Sequence, residues 1–310
     1  MYGRKEKLDK VKKRQELIKE AIGFLLRFSG ILWVIRCMFC RNKVTIMVYH
    51  KPEPETFRKH IAYLAKRYRF ISLNKLVDAI RNKDWSDIPP NAMVITIDDG
   101  HKTNYELLDT IKTFNVRPTI YLCSHIVRTN RHFWFTATSS ATPPLKRLRT
   151  DIVEEELRCE LGYTHTKEYP ERETLSKSEI IDMEPYVDFG SHTKFHPILP
   201  QCDDARSRDE IQSSKKTLGE LLNRPIEHFA YPNGDYGERE VEYVKRSGHK
   251  SARTLDVGWV DVNSDPYRLK AIGIQDDASV NILCGQVIGL FGRLKYLRHG
   301  SFRGKRPPFL

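Results

Sequence analysis

The sequence predicts an α/β fold in which parallel strands are covered by helices on both faces. Two observations carry this expectation. Short, mainly apolar runs rich in β-branched residues, Val44–Tyr49 and Ala92–Ile97, have strand length and suit a sheet buried on both sides. Amphipathic segments of helical period alternate with them, which is the pattern of parallel βα units. The composition agrees, since 310 residues at 40% hydrophobic and 30% charged are globular and long enough to bury a sizeable core.

The elements follow in order between residues 44 and 277. Val44–Tyr49 (VTIMVY) runs into His50, and Phe57–Arg69 reads as a helix with Phe57, Ile61, Leu64, Ala65 and Tyr68 on one face. Phe70–Ser72 reads as a short strand and Leu73–Arg81 as a helix, after which Pro89-Pro90 punctuates before the strand Ala92–Ile97. Tyr105–Phe114 is expected helical and Thr119–Cys123 extended. From Ser124 to Pro185 the pattern loosens, with a Thr/Ser/Pro-rich piece at Thr136–Pro144 and a charged helical segment at Asp151–Leu161. This stretch reads as an excursion from the domain, a lid or a substrate-binding wall. Alternation resumes with Val187–Gly190, Arg206–Leu222, His228–Tyr231 and Glu238–Ser247. The pattern admits an α/β barrel or a doubly wound sheet.

The formal charge of +12 divides unevenly. Residues 1–43 carry 12 basic and 4 acidic side chains, residues 278–310 carry 6 basic and none acidic, and residues 44–277 carry 34 basic and 36 acidic. A nucleic-acid enzyme more often carries its basic face on the folded domain, so nucleic acid is not the expected partner. The N-terminal segment joins a Lys-rich stretch, Arg4–Lys19, to an apolar run, Ala21–Cys40, broken by Arg27 and Arg36. Each central Arg costs roughly 2.5–3.5 kcal/mol on insertion scales, which disfavours a spanning helix. No short basic region with a small-residue cleavage site marks a secretory signal. The readings left open are an interfacial helix, with Trp33, Leu25 and Leu26 in lipid and lysines on anionic headgroups, and a helix packed outside the domain. The tail 278–310 repeats the theme and is expected to dock nearby. Six scattered cysteines, with one C-x-x-C at Cys37 and Cys40, make neither a disulfide framework nor a complete zinc site. The expected location is cytoplasmic or peripheral on the cytoplasmic membrane face.

Three clusters follow expected strands, at the edge where α/β folds place their active sites. Asp98-Asp99-Gly100 sets two carboxylates side by side, a conflict that a cation or a raised pKa would resolve, although the same letters make an ordinary turn. His192 and His196, four apart, would share one face of a helical turn stopped by Pro197, and two imidazoles so placed can bind one metal. With a carboxylate they leave open positions, as a catalytic zinc or similar divalent site requires. Phe229-Ala230-Tyr231-Pro232-Asn233-Gly234 runs a strand into a tight turn whose backbone N–H groups suit a developing oxyanion, or is a plain turn.

In this order the residues resemble the polysaccharide deacetylase family, the carbohydrate esterases related to chitin, peptidoglycan and nodulation-factor deacetylases. The pattern T-[FI]-D-D-G matches Thr96–Gly100, H-[ST]-x-x-H matches His192–His196, and Tyr49-His50 also looks like this family. The resemblance covers about residues 44–277. It implies a distorted (β/α) TIM-like barrel of about seven strands and metal-dependent removal of acetyl groups from sugars. It makes Asp98 the general base and Asp99, His192 and His196 the metal ligands, for zinc first, with cobalt, nickel or iron as other divalent candidates. The oxyanion would be shared by the metal and a backbone N–H near Asn233, and His50 and Tyr231 are candidate substrate contacts. Two departures stand out. The arginine that braces the catalytic aspartate in many members is missing before Tyr231, and the late Leu-x-His motif that supplies an acid is matched only by Leu297-Arg298-His299 in the basic tail. His50 and His101 remain as candidate acids. The expected substrate is an acetylated glycan or glycolipid. The other readings are a hydrolase of non-sugar amides and a catalytically altered module that binds glycan or membrane on the same scaffold.

Overall fold

A computed structural model describes residues 2–138 and 145–292 of the chain. Its strands are β1 (Thr45–Tyr49), β2 (Arg69–Phe70), β3 (Ala92–Ile97), β4 (Thr119–Leu122), β5 (Asp188–Ser191), β6 (His228–Ala230), β7 (Ser251–Arg253) and β8 (Ile272–Gly273). All pair in parallel in the order β7-β6-β5-β4-β3-β1-β8, with β2 beside β3. The order advances in one direction from β1 to β7, whereas a doubly wound sheet reverses at its middle. The sheet curls until Arg253 bridges Leu269, just ahead of β8, with the Leu269 N–H donating to Ala252 O at 2.9 Å. This is the distorted barrel.

The helices are α1 (Tyr2–Phe28), α2 (Ile31–Ile35), α3 (Pro54–Ala65), α4 (Leu73–Asn82), α5 (Leu108–Thr113), α6 (Trp134–Ala137), α7 (Thr150–Leu161), α8 (Lys177–Met183), α9 (Asp204–Leu222), α10 (Glu238–Arg246) and α11 (Val280–Val287). Alternate residues of the apolar strands serve two cores, as the two-residue period requires. Ile46, Val48 and Val94 pack inside the barrel with Tyr121, Ala230 and the apolar face of α4. Met47, Met93, Ile95 and Ile120 pack outward under α3, α5 and α8. Ser72, Asp203 and Ser279 cap α4, α9 and α11 with their side chains, and Ser176 with Glu179 makes a capping box for α8.

Some boundaries shift for identifiable reasons. The helix expected over Phe57–Arg69 starts at Pro54, whose fixed φ suits the first turn, and stops early because Arg69 pairs with Ala92 in β2. The expected helix Tyr105–Phe114 splits into a 3₁₀ turn, Lys102–Leu107, and α5. At the termini α1 lies along α11. A Cβ on Gly23 would stand 2.0 Å from the Asn281 carbonyl oxygen, so only glycine permits the contact. Glu20 accepts hydrogen bonds from Ser279 Oγ at 2.5 Å and Asn281 Nδ2 at 2.6 Å. Leu297-Arg298-His299 and residues 139–144 lie outside the described residues.

Candidate metal centre and catalytic site

Asp98 and Asp99 follow β3, and both are buried. The Asp98 N–H donates to Tyr49 O at 2.9 Å, which prolongs the β1–β3 ladder up to the site. Asp99 and Gly100 then take φ of 72° and 65°, a left-handed turn that swings the second carboxylate off the strand line. Glycine is needed at the second position, where a Cβ would meet Leu122 Cδ2 at 2.5 Å.

The two carboxylates are stabilised separately. Arg253 of β7, fully buried, donates from Nη2 to Asp98 Oδ1 at 2.6 Å and to Oδ2 at 2.5 Å. The brace that the sequence lacks before Tyr231 therefore enters from the next strand. Asp99 stands among histidines: Oδ1 is 3.6 Å from His192 Nε2 and 3.4 Å from His196 Nε2, and Oδ2 is 3.4 Å from His101 Nε2. Burial pushes the Asp99 carboxyl up, but the His101 hydrogen bond and the fields of His196, His101 and His192 outweigh it and hold the group well below the usual carboxylate range.

His192 and His196 are brought together by a loop and not by a helical turn. Thr193 and His196 both have positive φ, 69° and 59°, and the imidazole centroids lie 4.8 Å apart. A β-branched residue at positive φ is strained, and the surroundings over-determine it. The Thr193 carbonyl accepts from Ser124 N–H at 3.0 Å and Ser214 Oγ at 2.9 Å, and Thr193 Oγ1 accepts the His196 N–H at 3.0 Å. The buried Glu210 of α9 accepts the Lys194 and Phe195 N–H groups at 2.8 and 3.0 Å, and Arg206 Nε donates to its other oxygen at 2.9 Å.

These residues fit a divalent cation. One ligand atom each from Asp99, His192 and His196 lies within 4.8 Å of the others. Asp99 Oδ1 is buried with no hydrogen-bond partner. His192 donates its Nδ1–H to Ala230 O at 2.8 Å, which turns the Nε2 lone pair towards the carboxylate. Burial lowers both imidazoles below their ordinary value, His196 to about 3, so they stay neutral and able to ligate. Two nitrogens and one oxygen suit zinc and its first-row neighbours.

The other expected residues fall differently. His50, at the end of β1, has Nε2 3.9 Å from Asp98 Oδ2 and keeps 43% of its side chain exposed. Its N–H and that of Lys51 donate to the Asp276 carboxylate at 3.1 and 2.9 Å, and Asn104 Nδ2 donates to its carbonyl at 2.9 Å. Asn233 turns at φ 56°, and its Oδ1 accepts from Lys146 Nζ at 3.0 Å. Tyr231 is fully buried among Phe229, Val241 and Tyr236, and its hydroxyl donates to Tyr267 O at 3.2 Å, which gives this side chain a packing role in place of the expected substrate contact. The excursion 124–185 brings two aromatic residues against the second histidine. Trp134 Nε1 donates to His196 O at 2.9 Å, and Phe135 meets the His196 ring edge-on at 4.9 Å. Sequence reasoning missed Arg253, Glu210, Lys146 and Asp276. The signal for Arg253 was an arginine directly after Ser251-Ala252, in a strand too short to be recognised.

The model for polysaccharide deacetylases matches residues 86–252. No curated protein matches the chain in sequence. Among solved structures it is similar to the Streptococcus pyogenes deacetylase PplD in complex with acetate, at 18% identity and a TM-score of 0.59, over 80% of this chain and 99% of that one. It is similar to IcaB from Ammonifex degensii at 15% identity and a TM-score of 0.58, over 80% and 98% of the two chains. A de-N-acetylase from Aggregatibacter actinomycetemcomitans gives 14% identity and a TM-score of 0.56, over 78% and 98%. At such identities these likenesses establish the fold. Because the matched model spans more than half of the sequence, the chain belongs to the polysaccharide deacetylase family, hydrolases of carbon–nitrogen bonds other than peptide bonds.

Proposed function

We propose that the protein is a metal-dependent deacetylase that removes acetyl groups from an N-acetylated sugar of a polysaccharide or lipid-linked glycan. One observation carries the reading. A braced carboxylate, Asp98, stands beside a second carboxylate and two neutral imidazoles at one strand edge, which is the separation of a proton acceptor from a ligand set. A divalent cation, zinc first among zinc, cobalt, nickel and iron, would be held by Asp99, His192 and His196 and would supply Lewis-acid chemistry at the acetyl carbonyl. Asp98 accepts the proton of the attacking water, and Arg253 fixes the position of that carboxylate. A backbone N–H near Asn233 faces the developing oxyanion. His50, part-exposed and beside Asp98, returns a proton to the departing amine, so that acetate and a free amino sugar leave. His101 is turned instead to Asp99. Among the solved structures of similar fold, the deacetylase PplD is in complex with acetate, the product expected of this reaction.

The test is acetate release from N-acetylglucosamine oligomers by chelated and by zinc-reloaded protein, with metal content measured on the same samples. The reloaded protein should release acetate and the chelated protein should not. Asp98→Asn should bind metal yet lose at least about 10²-fold in rate. Undiminished release by that variant would sink the assignment.

A further inference from the structure

The N-terminal helices carry an apolar face that is left exposed among the described residues. On α1, Leu17, Phe24 and Phe28 recur at helical spacing with Leu25 beside them, and they are 53–66% exposed. After the break at Gly30, whose φ is 75°, Trp33 and Met38 continue the face at 62% and 71% exposure. Monomeric proteins rarely expose a contiguous patch of this kind without a use for it. The opposite side of α1 is already occupied, by the Glu20 and Gly23 contacts to α11.

The two arginines that interrupt this run in the sequence have their guanidinium groups tied to the body of the fold. Arg27 donates to Asn281 Oδ1 at 3.1 Å and lies over the rings of Tyr63 and Phe28, and Arg36 donates to Arg67 O at 3.2 Å and lies over Tyr68. The outward face is thus left apolar, while Lys13, Arg14 and Arg41 stand exposed at its margins. No acidic residue occurs from Ala21 to Lys43. Packing of α1 on α11 also brings the start of the acid-free stretch 278–310 to the same side. Among the described residues no single helix is long and apolar enough to cross a membrane, and the axis bends by 74° between Phe28 and Ile31.

We propose that the outer face of α1 and α2 seats the protein on an anionic bilayer surface, its apolar side chains at the boundary of headgroups and acyl chains and its cations on the headgroups. The covered side of α1 reaches towards the catalytic rim. Lys19 Nζ donates to Gln275 Oε1 at 3.5 Å, and the adjoining Asp276 holds the backbone N–H of His50. The surface stands independently of the deacetylase reading, since neither Leu25 nor Phe28 touches the site.

Full-length protein is sedimented with phosphatidylcholine vesicles with and without phosphatidylglycerol, over a range of salt. Binding should require phosphatidylglycerol and weaken as salt rises. The pair Leu25→Ser and Phe28→Ser should lower partitioning at least about tenfold, with acetate release from a soluble oligomer kept at the parent level. Lys13→Glu with Arg14→Glu should remove much of the salt dependence. Failure to bind anionic vesicles, or equal binding by the Leu25/Phe28 variant, overturns the proposal. So does concentration-dependent dimerisation that this variant abolishes and vesicles do not compete away, which assigns the face to a second copy of the chain.

Discussion

Replacing Arg253 by Met removes the permanently charged partner of a buried carboxylate: both oxygens of Asp98, whose side chain is 4% exposed, bond the same guanidinium nitrogen at 2.5–2.6 Å. Methionine fills similar space beside Tyr121, over whose ring the guanidinium lies at 5.3 Å, so the change isolates charge from packing. Removing one member of a buried pair costs about 3–5 kcal/mol, because the other charge is left without compensation. The variant should lose about that much in urea denaturation, and acetate release should fall by at least about 10²-fold as the carboxylate loses its fixed orientation. The double variant Arg253→Met with Asp98→Asn removes both charges and should regain about half or more of the lost stability, yet stay inactive. A single variant with parent stability and parent rate would refute the brace. A double variant no more stable than the single one would refute the charge argument behind it.

Two further outcomes follow from the same geometry. Glu210→Gln keeps an acceptor for the Lys194 and Phe195 N–H groups but removes the charge that holds the loop and pairs with Arg206. Metal affinity, measured by competition with a chromophoric chelator, should fall about 10–100-fold while the rate per bound metal changes little; unchanged affinity would remove the supporting role of Glu210. His228 is held neutral by burial, its pKa lowered from 6.5 to about 4, with Nε2–H donating to Asn74 Oδ1 at 2.8 Å. Its folded value lies below the unfolded one, so its contribution is complete above pH 6.5 and is lost as pH falls towards 4, about 3 kcal/mol in all. Urea midpoints between pH 7.5 and 4.5, run as about a three-unit span, should fall less steeply for His228→Gln than for the parent, and parallel curves would contradict this.

The barrel and half of its site were legible because their signals are contiguous. β1 and β3 are mainly apolar runs with every residue buried, and the Asp98-Asp99 and His192–His196 motifs each sit within five residues at a strand end. Arg253, Glu210 and Lys146 were not legible because each meets its partner only through the closed fold. β7 has three residues, two of them polar, and shows no period to read. The histidine spacing pointed to a pair that the fold does bring together, for a reason that the backbone does not use, since two left-handed residues do what a helical turn was expected to do. Tyr231 was drawn into the site by its motif, although its ring belongs to the core between β6 and α10.

The Asp98–Arg253 contact also bears on how the molecule is made. Its partners are 155 residues apart, so on the ribosome the carboxylate emerges long before its counter-charge exists. The first half of the barrel cannot bury Asp98 as an anion on its own, and a long chain segment must close before that contact forms. Burial of the Asp98 carboxylate as an ion pair and completion of the ring are one event, and a nascent chain halted before β7 carries both aspartates of the motif without the arginine that holds the first of them.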